Sequence, residues 1–195
     1  MRRHPTARFR LPPPPRGLSP KARAVYVAVA AVVSAVVTLT IPMCPATDSA
    51  GRPVWRVEHV HDGDTVTCLD ERGQARKVRL RGIDAPEFGQ PFGDAARRAL
   101  ADKLAGGRVR VEGDAIDQHG RLLGTLWIDD RDLNRELVAE GYAWVFGGFA
   151  PDEDLVAAEE AARAARRGLW SSSDPPVSPQ DWRAAHPPTA GGKGR

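Results

Sequence analysis

Two short stretches of this 195-residue chain bring carboxylates and arginines together at spacings that suit work on a phosphate. One is Val60-His61-Asp62-Gly63-Asp64-Thr65-Val66; the other is Val78-Arg79-Leu80-Arg81-Gly82-Ile83-Asp84-Ala85-Pro86-Glu87. Carboxylates from Asp64, Asp84 and Glu87 repel one another at close range unless a cation or a proton relieves them. An all-oxygen donor set suits a hard divalent ion, Ca²⁺ or Mg²⁺, rather than zinc. Arg79, and Arg121 from the later Asp117-Gln118-His119-Gly120-Arg121 run, carry planar guanidinium groups that grip phosphate oxygens in pairs. A metal, a carboxylate and two arginines around one point form a set able to hydrolyse a phosphodiester. Taken alone, Asp62-Gly63 is ordinary turn chemistry, and Asp117 and Gly120 read the same way.

The elements around these residues must bring them together. Val54 to His61 and Thr65 to Asp70 read as strands, with Val66 and Cys68 on one face and Thr65 and Thr67 on the other. Asp70-Glu71-Arg72-Gly73-Gln74 reads as a hairpin turn, and Ala75 to Gly82 as the returning strand, with Val78 and Leu80 facing one way. A turn centred on Arg72-Gly73 sets Asp64 opposite Arg81 and Val66 opposite Arg79. Asp84 then emerges about 10 Å further along. Asp94 is the expected cap of a helix whose Ala96, Leu100 and Leu104 fall four apart, ended by Gly106-Gly107. Arg108 to Gly113 and Arg121 to Ile128 read as strands. A short helix follows from Leu133 to Glu140, stopped by Gly141. The last helix is capped by Asp152, with Glu153 and Asp154 in its first turn and Arg163, Arg166 and Arg167 near its end, before Gly168. The order β-β-β-α-β-β-α-α suits a small Greek-key barrel of the OB type, an α+β fold that is mainly β.

Charge distribution says more than the total. The formal charge is +3, yet residues 1–23 hold seven basic residues and no acidic one, while residues 51–170 hold 18 Lys/Arg and 22 Asp/Glu. The central part is therefore mildly acidic, and phosphate recognition there must come from placed arginines or a metal rather than a broad basic field. Two cysteines, Cys44 and Cys68, are too few for a disulfide framework; a single bridge between them is left open. Five scattered histidines contain no zinc-site spacing.

Residues 24–41 run eighteen positions without a charge, about 27 Å as a helix. The basic residues before them predict the N-terminus inside and the C-terminal part outside. An uncleaved anchor is the expectation, since the apolar run exceeds a signal peptide's core and no good cleavage site follows; export with cleavage is the alternative. The expected organisation is a basic, Pro-rich disordered tail (1–23), an anchor or signal segment (24–43), a linker (44–53), the barrel domain (54–170) and a loose Pro/Gly-rich tail (171–195), where Trp182 alone invites docking.

Residues 55–170 resemble the staphylococcal-nuclease-like, or thermonuclease, family. The motifs are Asp62-Gly63-Asp64-Thr65, the 78–87 segment, Gln90 and Gly93 before the helix, Asp117 to Arg121, and Leu133 to Ala143. The resemblance implies a five-stranded OB-fold barrel with three helices, here preceded by a hydrophobic N-terminal helix. It implies Ca²⁺-dependent cleavage of DNA and RNA at the P–O5′ bond, leaving 3′-phosphates. Asp64, Asp84 and the backbone carbonyl of Ala85 match the family's metal ligands. Glu87 matches the carboxylate that orients or deprotonates water, and Arg79 and Arg121 the phosphate-binding arginines. Gln118, His119 and Phe149 fall where the family contacts substrate. The founding secreted nuclease has Lys-Tyr at 118–119 and tyrosines near Gly147 and Phe149, so the stacking platform is reduced here. The expected partners are nucleic acid as substrate and a membrane through residues 24–41. The competing class is a non-catalytic OB barrel that binds or scaffolds, which predicts loss of at least one of the five charged site residues.

Overall fold

The structure, a computed structural model, describes residues 17, 19–29, 46–148 and 152–187. The chain divides into two units, Met1–Cys44 and Pro45–Arg195. In the first, residues 20–29 are helical. Residues 30–41 of the expected anchor lie outside the described residues, among which no helix is long and apolar enough to cross a membrane. Cys44 and Phe149 also lie outside them.

The second unit carries the barrel. Its main strands are β1 (Trp55–Val60), β2 (Thr65–Leu69), β3 (Ala75–Leu80), β5 (Arg108–Glu112) and β6 (Leu122–Ile128). β1 pairs antiparallel with β2 and with β5, β2 with β3, and β5 with β6. A parallel pairing of β3 with β6, Val78 opposite Leu122 and Leu80 opposite Gly124, closes the ring. Closure leaves no edge along these five strands, which is how a small barrel disposes of unpaired backbone groups. Three two-residue strands supplement it: β4 (Ile83–Asp84), β7 (Arg131–Asp132) and β8 (Trp144–Val145), with β4 antiparallel to β8.

The β2–β3 hairpin differs from expectation by one residue. Thr65 lies opposite Arg79 and Val66 opposite Val78. The loop has three residues, Glu71 to Gly73, between the paired Asp70 and Gln74, and Gly73 adopts φ 73°. A two-residue turn would give an odd register sum; a three-residue turn ending in a left-handed glycine gives an even one. The Asp70 carboxylate accepts from the backbone N–H of Arg72 and Gln74, at 2.9 Å each, which fixes the longer loop. The slip leaves Val66, Cys68, Val78 and Leu80 inside, as their alternation predicts.

Helix α1 (Gly93–Lys103) buries Ala96 and Leu100, and Leu104 beyond its end, against the barrel. Asp94 does not cap it. Phe92 is the N-cap, in left-handed conformation with no side-chain cap; the chain arrives from a tight turn in which the Gln90 carbonyl accepts from Gly93 N–H, and Asp94 sits in the first turn. Helix α2 (Leu133–Ala139) is capped by Asp132, and α3 (Glu153–Ala164) by Asp152. The tail expected to be loose is partly ordered. A 3₁₀ turn, Gly168–Ser171, leads on to helix α4 (Pro179–Ala185). Ser178 caps α4, accepting from Asp181 N–H at 3.1 Å, and buried Pro179 takes its first position. Ser-Pro-x-Asp is a helix-start signature that the Ser/Pro composition masks.

One buried polar side chain, Asn134 of α2, fastens the helix to the barrel. Its Oδ1 accepts from Leu126 N–H at 3.1 Å, and its Nδ2 donates to the carbonyls of Arg81 (2.9 Å) and Gly124 (3.2 Å). Removing it takes a partner from the Leu126 N–H of β6 and from the Arg81 carbonyl just after β3, while the Gly124 carbonyl keeps the Arg81 N–H. Asn134→Ala is expected to cost about 2–4 kcal/mol, measured by urea unfolding; a loss under about 0.5 kcal/mol would mean water replaces the amide.

Candidate active site

The barrel gathers the candidate residues at one end. Asp64 closes the β1–β2 turn, where Asp62 Oδ1 accepts from its N–H at 3.0 Å. Gly63 in that turn is demanded by space: a Cβ there would meet those of Ala85 and Ala96 at 2.7 Å each. Glycine thus lets the Asp64 turn, the Asp84-Ala85 segment and α1 pack together. Asp84 is held in β4 opposite Trp144 of β8. The parallel β3–β6 pairing carries Arg121, one residue before β6, toward the same end as Arg79.

These side chains line a cleft of about 920 Å³, shared by Asp62, Asp64, Arg79, Asp84, Ala85, Glu87, Asp117, Gln118, His119 and Arg121. Every described residue expected in the site is there. Lys77, Phe146 and Arg183 also line it and were missed by sequence reasoning.

Arg79 is the hub. Its Nε lies 3.2 Å from Asp64 Oδ1, and its Nη2 donates to Asp84 Oδ1 at 2.9 Å. Nη1 donates to the carbonyls of Leu80 and Ile83, both at 2.8 Å. Three of the four Nη N–H groups thereby donate to the protein, and Nε adds an ion pair with Asp64. Arg121 is posed differently. Its Nε donates to Asp117 Oδ2 at 2.8 Å, while Asp117 Oδ1 accepts from the backbone N–H of His119 and Arg121. Burial opposes ionisation of Asp117, but these hydrogen bonds outweigh it and hold its carboxyl below the ordinary value. That anchor leaves the Nη groups of Arg121 for a ligand.

Asp64 is only 6% exposed, and burial pushes its carboxyl up to about 7, with Arg79 pulling it down and Asp62 and Asp84 pushing it further up. Its Oδ2 accepts from Ala85 N–H at 2.7 Å. Glu87 is set by its neighbours: its N–H donates to buried Gln90 Oε1 at 2.9 Å, and a Cβ at Gly93 would collide with its carbonyl oxygen.

The expected gathering of three carboxylates is looser than anticipated. Among the described residues, no three Asp, Glu, His or Cys side chains form a group that could hold a metal ion. Arginines lie between the carboxylates: Arg79 joins Asp64 to Asp84, and Arg183 joins Asp84 to Glu87 through contacts of 2.9 and 2.6 Å. The donors still fit a hard cation in type, and such an ion would favour the ionised form of Asp64 that burial disfavours. Asp64, Asp84 and the Ala85 backbone carbonyl are the groups that would hold such a cation.

A closed OB-type barrel with an acidic and arginine-lined cleft at one end defines the class. The family described as staphylococcal nuclease homologue matches residues 77–172. An uncharacterized endonuclease of Haemophilus influenzae is 36% identical over 128 residues, covering 66% of this chain and 71% of the relative. A micrococcal nuclease of Shigella flexneri is 37% identical over 150 residues, 68% of this chain and 84% of the relative. A probable staphylococcal-like nuclease of rice is 37% identical over 120 residues, 60% of this chain but 32% of that longer protein. The chain belongs to the staphylococcal nuclease family.

The Asp64 shift has a stability consequence. An unfolded aspartate titrates near 3.9, so its folded carboxyl holds a proton that the unfolded one releases. That contribution is full below about pH 4 and is lost as pH rises through about 7. Metal-free protein is therefore expected to lose stability between about pH 4 and 7, and Asp64→Asn to flatten the decline, both followed by thermal unfolding in chelator. An equally steep decline in the variant would place the titrating group elsewhere.

Proposed function

We propose that this chain is a divalent-cation-dependent phosphodiester hydrolase acting on DNA and RNA, with Ca²⁺ the favoured ion and Mg²⁺ the lesser alternative. The observation that carries the reading is the meeting of Asp64, Arg79, Asp84, Glu87 and Arg121 in one cleft. A scaffold that had lost its chemistry predicts that one of them is missing, and none is. The names of the bacterial relatives, an endonuclease and a micrococcal nuclease, agree.

In this reading Asp64, Asp84 and the Ala85 carbonyl hold the ion, which when bound polarises the phosphate. Glu87 orients a water and takes its proton as the oxygen attacks phosphorus. Arg121, posed by Asp117, grips non-bridging oxygens and stabilises the charge that builds on them. Arg79 has one N–H left for the same oxygens while it holds the two carboxylates in place. The P–O5′ bond breaks, giving a 3′-phosphate and a 5′-hydroxyl. Gln118 and His119 flank Arg121 as contacts to substrate, and Phe149 is the sequence's candidate for base stacking. The uncharged run at 24–41 behind a basic tail supports work outside the cytoplasm, membrane-anchored or secreted.

The test incubates the chain with single-stranded DNA and RNA in millimolar Ca²⁺ or chelator, beside Asp64→Ala. Cleavage that needs Ca²⁺ and vanishes in the variant is the expected result; a folded, Ca²⁺-binding wild type that cleaves neither would overturn it. Glu87→Gln is expected to keep the fold and lose about 10²–10⁴ in rate. Near-normal turnover would remove Glu87 as the base. Arg121→Lys should cost at least about tenfold in kcat, since a point charge cannot reproduce the planar fork.

A further inference from the structure

The segment after α3 places a further guanidinium in the cleft. Arg183 of α4 meets Asp84 with both Nη atoms, Nη1 to Oδ1 at 3.2 Å and Nη2 to Oδ2 at 2.9 Å, and Nη1 also donates to Glu87 Oε1 at 2.6 Å. With Arg79 on Asp84 Oδ1 as well, both oxygens of that carboxylate are occupied. Arg183 thus holds the proposed ligand and the proposed base at once, and those carboxylates hold its own proton more firmly than usual. A second tie lies six residues earlier: Val177 carbonyl accepts from Gln90 Nε2 at 2.8 Å, and the other end of the Gln90 amide holds Glu87 N–H. The segment therefore grips the Glu87 turn through backbone and side chain.

The attachment is built from features that favour release. α4 has seven residues, too few to persist as an isolated helix. Ser, Pro and Gly flank it in Ser-Ser-Ser-Asp-Pro-Pro and Pro-Pro-Thr-Ala-Gly-Gly. The Arg183 side chain is 44% exposed, so water competes for its ion pairs. A divalent ion bound at Asp84 requires the oxygens that the guanidinium covers.

We propose that residues 172–187 form an autoinhibitory strap, in which Arg183 stands in for the cation and must leave Asp84 before the ion binds. The inference rests on Asp84 being a metal ligand. Two ligands that exclude each other weaken each other equally, so Ca²⁺ must loosen the strap as much as the strap weakens Ca²⁺.

The experiment titrates Ca²⁺ alone into the full chain and into Arg183→Ala by calorimetry. Hydrogen exchange of the 178–187 amides is then followed in wild type with and without saturating Ca²⁺. The expected results are Ca²⁺ binding at least about tenfold tighter in the variant and faster exchange of those amides when Ca²⁺ is bound. The exchange readout separates displacement from the mere removal of a positive charge, which would tighten Ca²⁺ without freeing α4. Equal or weaker Ca²⁺ binding by Arg183→Ala, or amides that Ca²⁺ protects, would overturn the strap while leaving Ca²⁺-dependent cleavage standing. Binding by neither protein would overturn both it and the metal reading.

Discussion

The Arg79 guanidinium is the constraint on which the rest of the site depends. Two buried carboxylates, Asp64 and Asp84, face each other across it, and two carbonyls at the end of β3 and in β4 accept from it. Buried carboxylates are tolerated only when paired and hydrogen-bonded, so the barrel must end where that arginine reaches all four acceptors. The surrounding features serve that placement. Gly63 admits Ala85 and α1 close to the Asp64 turn, β8 fixes β4, and Asn134 holds the carbonyls of Arg81 and Gly124 beside it. Pairing does not fully offset burial, and Asp64 retains a raised carboxyl. A further positive charge nearby would favour its ionised form.

Cationic side chains crowd this cleft although the domain is acidic between residues 51 and 170. Lys77, Arg79, Arg121 and Arg183 line the cleft among Asp62, Asp64, Asp84, Glu87 and Asp117. A polyanion would be recognised by these few groups, held at defined angles, rather than by a diffuse field. The two motif arginines also differ in what they offer. Arg79 spends its donors on the protein and acts first as a clamp. Arg121 is anchored through Nε and presents its outer nitrogens. Arg183 belongs to neither pattern, because it covers the acids themselves.

Most of the fold was legible because hydrophobic periodicity and capping chemistry are local. Val66, Cys68, Val78 and Leu80 alternate into the core as written, Ala96 and Leu100 line one helix face, and Asp152 caps α3. The errors arose where a local signal had two readings. Asp70 to Gln74 admitted a two- or a three-residue turn, and the Asp70 carboxylate selected the longer. Asp94 resembled a cap, but the turn through Gln90 starts the helix at Gly93 and leaves Asp94 inside its first turn. The Ser- and Pro-rich stretch after residue 171 had the composition of a tail, while Ser178 and Asp181 wrote a short helix within it.

The sequence by itself determined the inventory: which acids and arginines exist, in what order, on which strands and turns. It also determined the barrel, since strand order and alternation leave few ways to bury the apolar faces. Only the tertiary structure decided how the charges pair. The β3–β6 closure sets Arg121 beside Arg79, and the long return of the chain brings Arg183 to residues 99 and 96 positions earlier. Contacts between residues so far apart leave no periodic trace in the chain. They depend on burial, which makes each unpaired charge costly enough that the fold must find it a partner.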